Sequence, residues 1–141
     1  MFKHILLPVD LEDSASSAQA LEAAAAHAQA SGATLHVVTV VPDFGMSVVG
    51  SFFPDDFAEK ALAETAKGLD AYVGANVPDG VTVQQIVARG RIYDEIIKTA
   101  DSTKADLIVM SAQRPDVSDY LLGPNAARVA RHAKQSVLIV R

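Results

Sequence analysis

Residues 13–41, DSASSAQALEAAAAHAQASGATLHVVTVV, join an alanine-rich segment to a run of β-branched residues, and this junction decides the fold. Asp13 to Ser31 is almost wholly helix-forming, with Ala15, Ala18, Leu21, Ala25 and Ala28 recurring at spacings of three and four. Gly32 follows, the residue expected just past a helix C-terminus. Leu35 to Val41 is then apolar with little alternation, as in a strand covered on both faces of a parallel sheet.

Four further apolar runs lie outward of this unit: Ile5 to Val9, Val81 to Ala88, Leu107 to Met110 and Val137 to Val140. The run beginning at Val81 alternates partly, which places it nearer a sheet edge. Helical stripes fill the gaps. Phe57, Ala61, Leu62, Ala66, Leu69 and Val73 form one between Asp55 and Gly74, and Ile92, Ile96, Ile97 and Ala100 mark a helix over Tyr93 to Lys104. Leu122, Ala126, Val129, Ala130 and Ala133 share a face of the last helix, with Arg128 and Arg131 off it. The order β-α-β-α-β-α-β-α-β predicts an α/β fold, a three-layer α/β/α sandwich around a five-stranded parallel sheet. Residues 42–53 fit no period yet are strongly apolar; they read either as a loop folded over the second helix or as a lid or subunit contact.

With 141 residues, half of them hydrophobic, the chain suits one domain over 1–141 and is no disordered segment. Its net charge of -5 argues against nucleic acid and anionic membranes as partners, because both need clustered positive charge. The absence of cysteine excludes disulfides, thiolate metal sites and cysteine nucleophiles. The apolar run after Met1-Phe2-Lys3-His4 is too short for a signal peptide, and no run approaches a membrane span, so a cytoplasmic location is expected.

Ligands of open α/β sheets bind where strands end at their carboxyl side. Asp10 follows the first strand and reads either as an acceptor for a ligand amine or hydroxyl or as an Asx-type turn. Gly123 opens the last helix, whose N-terminus suits an anion, although Gly followed by Pro is also an ordinary helix start. The histidines His4, His27, His36 and His132 are scattered, with no pair at metal-ligand spacing. No Gly-x-Ser-x-Gly elbow and no phosphate loop with its lysine occurs, so a dedicated enzyme is not expected and any ATP hydrolysis would be slow and incidental.

Several segments together resemble the universal stress protein family: Pro8-Val9-Asp10, Ala88-Arg89-Gly90-Arg91-Ile92, Asp106 to Ser111, and Leu121 to Arg141. Ser111 to Asp116 followed by Tyr120-Leu121-Leu122-Gly123 looks most like the small F/G-type members. The resemblance spans the whole chain. It implies a Rossmann-like sheet ordered 3-2-1-4-5 and an ATP or AMP ligand, with magnesium as an optional companion. In ATP-binding members the adenine lies by the first strand's Asp and the backbone after strand two, here Asp10 and Val40. The phosphates lie along a Gly-x2-Gly-x9-Gly-Ser/Thr loop. This chain departs from that loop: Ser111 and Arg114 stand at its first two glycine positions, eight residues separate Arg114 from Gly123, and Pro124 replaces the hydroxyl residue. Side chains at 111 and 114 narrow the backbone approach, and Pro124 removes a donor, whereas Arg114, with Arg91, offers cations to a phosphate. The candidate contacts are therefore Pro8, Val9, Asp10, Val40, Gly90, Arg91, Met110, Ser111, Arg114, Gly123, Pro124, Asn125 and Ser136.

The last apolar run is expected at a sheet edge, where pairing with its twin would satisfy the backbone groups left open. The resemblance implies that homodimer through residues 136–141, with tetramers in F/G-like members. The leading reading is a nucleotide-binding regulatory protein of the stress response that acts on an unidentified protein partner. The competing one is a non-nucleotide adaptor, such as a regulatory subunit of a transporter, docking through residues 42–53.

Overall fold

A computed structural model describes residues 1–41, 57–112 and 124–141. Five strands, β1 (His4–Pro8), β2 (Thr34–Val41), β3 (Thr82–Arg89), β4 (Leu107–Ser111) and β5 (Ser136–Val140), form one sheet ordered β3-β2-β1-β4-β5. Every neighbouring pair is parallel. Between them run α1 (Ser14–Ser31, after a 3-10 turn at Leu11–Asp13), α2 (Phe57–Asn76), α3 (Ile92–Ser102) and α4 (Pro124–His132). The architecture is the one expected from the hydrophobic pattern, and the strand order is the one the resemblance implied. The loop 42–53, Arg114 and Gly123 lie outside the described residues.

Alternation along the strands sends side chains to two cores. Ile5, Leu7, Leu35, Val37, Leu107 and Val109 face α1 and α2, while Leu6, Val38, Ile108 and Met110 face α3 and α4. Only the central strands bury both faces. At the edges, β3 has only exposed and half-buried positions, with Ile86 to Ala88 half-buried, and β5 is half-buried from Val137 to Val140. Leu69 of α2 is fully buried against the first core, and removing such a side chain from water is worth roughly 2 kcal/mol.

Helix α1 packs in a phase the alanine spacing misjudged. Ser17, Ala20, Leu21, Ala24, Ala25 and Ala28 are buried, whereas Ala15 and Ala18 are exposed. In a helix where nearly every residue is small, hydrophobicity does not choose the inward face; the close approach that Ala20, Ala24 and Ala28 permit does. The helix ends as expected, with Gly32 left-handed at φ 67° and the Ala33 amide donating back to the Ala28 carbonyl at 3.0 Å.

The histidines are not all scattered. His4 and His36 project to the α3/α4 side near the amino ends of β1 and β2, with His4 Nδ1 and His36 Nε2 3.0 Å apart. His36 Nδ1 meets the Oε1 of Gln84 on β3. Since the amide oxygen only accepts, His36 donates from Nδ1 and takes the His4 Nδ1 proton at Nε2. Strand register brings these residues together, and no spacing along the chain displays it. Beside them, the Asp106 carboxylate accepts from the amides of Lys3, at 2.9 Å, and His4, at 3.1 Å. Burial acts to raise its pKa, but these donors and the nearby His4 outweigh it, and the net shift is downward.

Desolvation holds the His36 pKa below 6.5; the Gln84 hydrogen bond opposes this, and the His4 charge adds to it. Unfolded chain therefore takes up a proton at His36 that folded chain resists. The stabilisation is fully present above pH 6.5 and is lost as the pH falls below it. Thermal unfolding followed from pH 8 to pH 5 should show the midpoint dropping below about pH 6.5, and His36→Leu should flatten that drop. An unchanged slope in the variant would show that the pair carries no such linkage.

Candidate functional site

The strand order reverses at β1: β2 leaves to one side and β4 to the other. At their carboxyl ends lies a crevice of about 740 Å³. Its floor is Pro8, Val9 and Asp10 at the end of β1; one wall comes from β2 and α2, the other from Met110, Ser111 and the start of α4 at Pro124 and Asn125. Eight of the thirteen residues expected from the sequence thus line one depression: Pro8, Val9, Asp10, Val40, Met110, Ser111, Pro124 and Asn125.

Three others lie elsewhere. Gly90 and Arg91 follow the edge strand β3, two strands from β1, and line no part of the crevice. The Gly90 amide donates to the Val41 carbonyl at 2.9 Å, and Arg91 Nε lies 3.9 Å from the Asp94 carboxylate. Ser136 pairs with Leu107 at the start of β4. Because all strands run the same way, the start of β5 is at the end of the sheet opposite the crevice, so Ser136 is not brought to it.

The unequal lengths of β1 and β2 create the most specific feature. Val9 N donates to the Val38 carbonyl at 2.8 Å, so Val38 turns its backbone groups toward β1. Val40, two residues on, turns the same way, but β1 has already ended. Its N–H and C=O are bonded to no other group among the described residues. A donor and an acceptor therefore stand side by side at the crevice wall. Asp10 has a demonstrable structural role as well: its Oδ1 accepts from the Glu12 amide at 3.0 Å, capping the 3-10 turn. Both acidic residues of the lining, Asp10 and Glu12, come from this turn, and no Lys or Arg among the described residues joins them. The positive pole of α4 faces them, though Pro124 contributes no amide and the first free donors are those of Asn125 and Ala126.

Sequence reasoning missed a set of hydroxyls on the opposite wall. Ser16 and Ser17 of α1, Thr39 of β2 and Thr65 of α2 all line the crevice. Thr39, 5% exposed, and Ser17, 2% exposed, make no side-chain hydrogen bond among the described residues. A threonine near the carboxyl end of a mostly apolar strand run was the available signal, because a hydroxyl there needs a partner.

Across its full length, residues 1–141, the chain matches the universal stress protein family. Universal stress protein G of Shigella flexneri is 33% identical over 143 aligned positions, with both chains covered completely. The universal stress protein structure from Archaeoglobus fulgidus superposes with a TM-score of 0.75 at 22% identity, again over the whole of both chains. A universal stress protein in complex with cAMP superposes at 0.73 with 26% identity, covering 99% of this chain and 97% of the other.

At Gly90, φ is +141°, and an added Cβ would lie 2.7 Å from Glu95 Oε1 and 3.1 Å from Glu95 Cγ. The side chain of Glu95 can swing aside; the backbone angle cannot relax without breaking the bond from Gly90 to Val41. Gly90→Ala should accordingly lower stability by about 2 kcal/mol in urea unfolding, and an unshifted midpoint would contradict that account.

Proposed function

Since the chain belongs to the universal stress protein family, we propose that it is a regulatory protein that binds an adenine nucleotide, ATP or AMP, in the crevice at the end of β1. The observation that carries this reading is the open N–H and C=O pair of Val40 beside Asp10, facing the N-terminus of α4 across a cleft large enough for a nucleotide. A planar heterocycle with adjacent donor and acceptor complements Val40. The Asp10 carboxylate accepts from a ribose hydroxyl or an amine, and the helix pole attracts a phosphate. The solved relative in complex with cAMP supports the same ligand class. Arg114, in the segment between β4 and α4, is the cation the chain offers to the phosphate. Magnesium would attach to the phosphates of ATP rather than to a protein cage.

The protein signals by contact in this reading, as a homodimer. Among the described residues β5 pairs only with β4, leaving its outer backbone edge open to a second copy. Sedimentation should then give twice the mass of one chain, and a monomer at roughly micromolar concentration would discard the dimer.

Calorimetric titration tests the ligand. AMP and ATP, each with and without magnesium, should release heat at or below about 1 mM, the weak limit of specific binding. Asp10→Asn keeps an oxygen for the turn but loses the charge and should weaken AMP about tenfold, while Arg114→Ala should weaken AMP but not adenosine. No binding by the wild-type protein would overturn the reading and leave an adaptor without nucleotide.

A further inference from the structure

We propose that the outer face of α4, with the turn that ends α3, is a docking surface for an acidic peptide segment of a partner protein. Charge is divided unevenly along the chain. Residues 1–119 carry 8 Lys and Arg against 17 Asp and Glu, whereas residues 120–141 carry 4 and none. The net charge of -5 therefore conceals a local reversal, and α4 brings the reversed charge to the surface. This face stands apart from the crevice, which α4 meets only through Pro124, Asn125 and Ala126.

Arg128, Arg131 and His132 of α4 and Lys134 just beyond it are all exposed. Spacings of three and four put Arg128, Arg131 and His132 on one side of the helix. None of Arg128, Arg131 and Lys134 is paired with a carboxylate among the described residues. Arg128 lies 5.0 Å over the Tyr93 ring, so α3 steadies its guanidinium while the donors stay unspent among the described residues. Two nearby carboxylates are held by neutral donors instead. Asp101 accepts from Gln135 Nε2 at 3.0 Å, and Asp106 accepts from the Lys3 and His4 amides.

Lys104 adds a cation where α3 ends. Its φ is +58°, the left-handed position at which helices usually end on glycine, and the next amide, of Ala105, donates to the Ala100 carbonyl at 2.9 Å. Lysine is strained there, yet its exposed ammonium meets no carboxylate among the described residues. The bond from Gln135, next to Lys134, to Asp101 in the last turn of α3 brings the two lysines to one corner. The negative pole of a helix accounts for cations in its last turn. It does not account for Arg128 in the middle of α4.

The chemistry of this face selects a peptide over other polyanions. Single strands of nucleic acid bind on open aromatic rings, and Tyr93 is already covered by Arg128. Membrane surfaces are gripped by apolar side chains beside the cations. Among the described residues the exposed large apolar ones are Met1 and Ile92, at the start of the chain and at the opposite end of α3. Carboxylates on a flexible segment can reach cations spread over a helix and its neighbouring turn, and the forks of Arg128 and Arg131 suit carboxylate geometry.

Fluorescence anisotropy with a labelled decaglutamate peptide, in the absence of nucleotide, tests the surface. The wild-type chain should bind the peptide at about 10 mM salt and lose most of that affinity at about 150 mM, as screening shortens the reach of the charges. Arg128→Gln, Arg131→Gln and Lys134→Gln together should weaken binding about tenfold, the sum of three modest exposed pairs. Lys60→Gln, Lys67→Gln and Lys98→Gln together change the net charge equally and should leave binding within about twofold. Lys104→Gly should raise the unfolding midpoint by relieving the strain and yet weaken the peptide about threefold, a combination that a purely structural lysine would not give. Equal losses in the two triple variants would show that net charge alone is read and would overturn the proposal. So would unchanged affinity in Lys104→Gly, failure of the wild-type chain to bind decaglutamate, or tighter binding of decathymidylate or phosphatidylserine vesicles. Self-association that the first triple variant abolishes would assign the face to a second copy and overturn it too.

Discussion

The site depends on a mismatch in strand length. β1 stops at Pro8 while β2 continues to Val41, so the sheet's most central strand is shorter than its neighbour at the carboxyl end. Backbone donors and acceptors inside a protein are almost always paired, and a parallel ladder normally does the pairing. Where β1 gives out, that service ends for Val40. The crevice, the turn capped by Asp10 and the approach of α4 are all arranged around the space that a longer β1 would have occupied.

The two sides of this space differ in chemistry. On the β4 side stand a helix pole and the small residues Ser111 and Ala112. On the β2 side stand hydroxyls and aliphatic surface, including Val41, Ala61 and Ile92, which suit a flat, weakly polar ring. A parallel sheet gathers these features at one end because every strand finishes there. The His4–His36–Gln84 row lies at the other end, where strands begin, so the titrating groups and the crevice are separated by the length of the strands.

What was legible in the sequence follows the physics of each element. Continuous β-branched runs at Leu35–Val41 and Leu107–Met110 located their strands to within a residue, because buried parallel strands have no polar face to blur them. The partial alternation from Val81 correctly marked an edge. The phase of α1 was not legible, since alanine lacks the contrast that would distinguish its faces. The histidine pair was invisible because inter-strand register, not spacing along the chain, brings His4 to His36. Ser136 was misplaced for a related reason: a residue beside the last strand's edge is near the site only if it lies at the correct end. Thr39 was read as part of an apolar run, although its side chain carries a hydroxyl and the residue lines the crevice.

The alanines of α1 set a limit of another kind. Ala20 and Ala24 have no accessible surface and Ala28 has 2%, so at these three positions the helix brings nothing longer than a methyl group to the sheet. Such a seam is specified by exclusion: it rejects larger residues more strictly than it requires apolar ones. Drift at Ala20, Ala24 and Ala28 is therefore confined to glycine, alanine and serine, while the outer side is nearly unconstrained. A helix that looks featureless in composition is the part of the molecule with the narrowest tolerance for added volume.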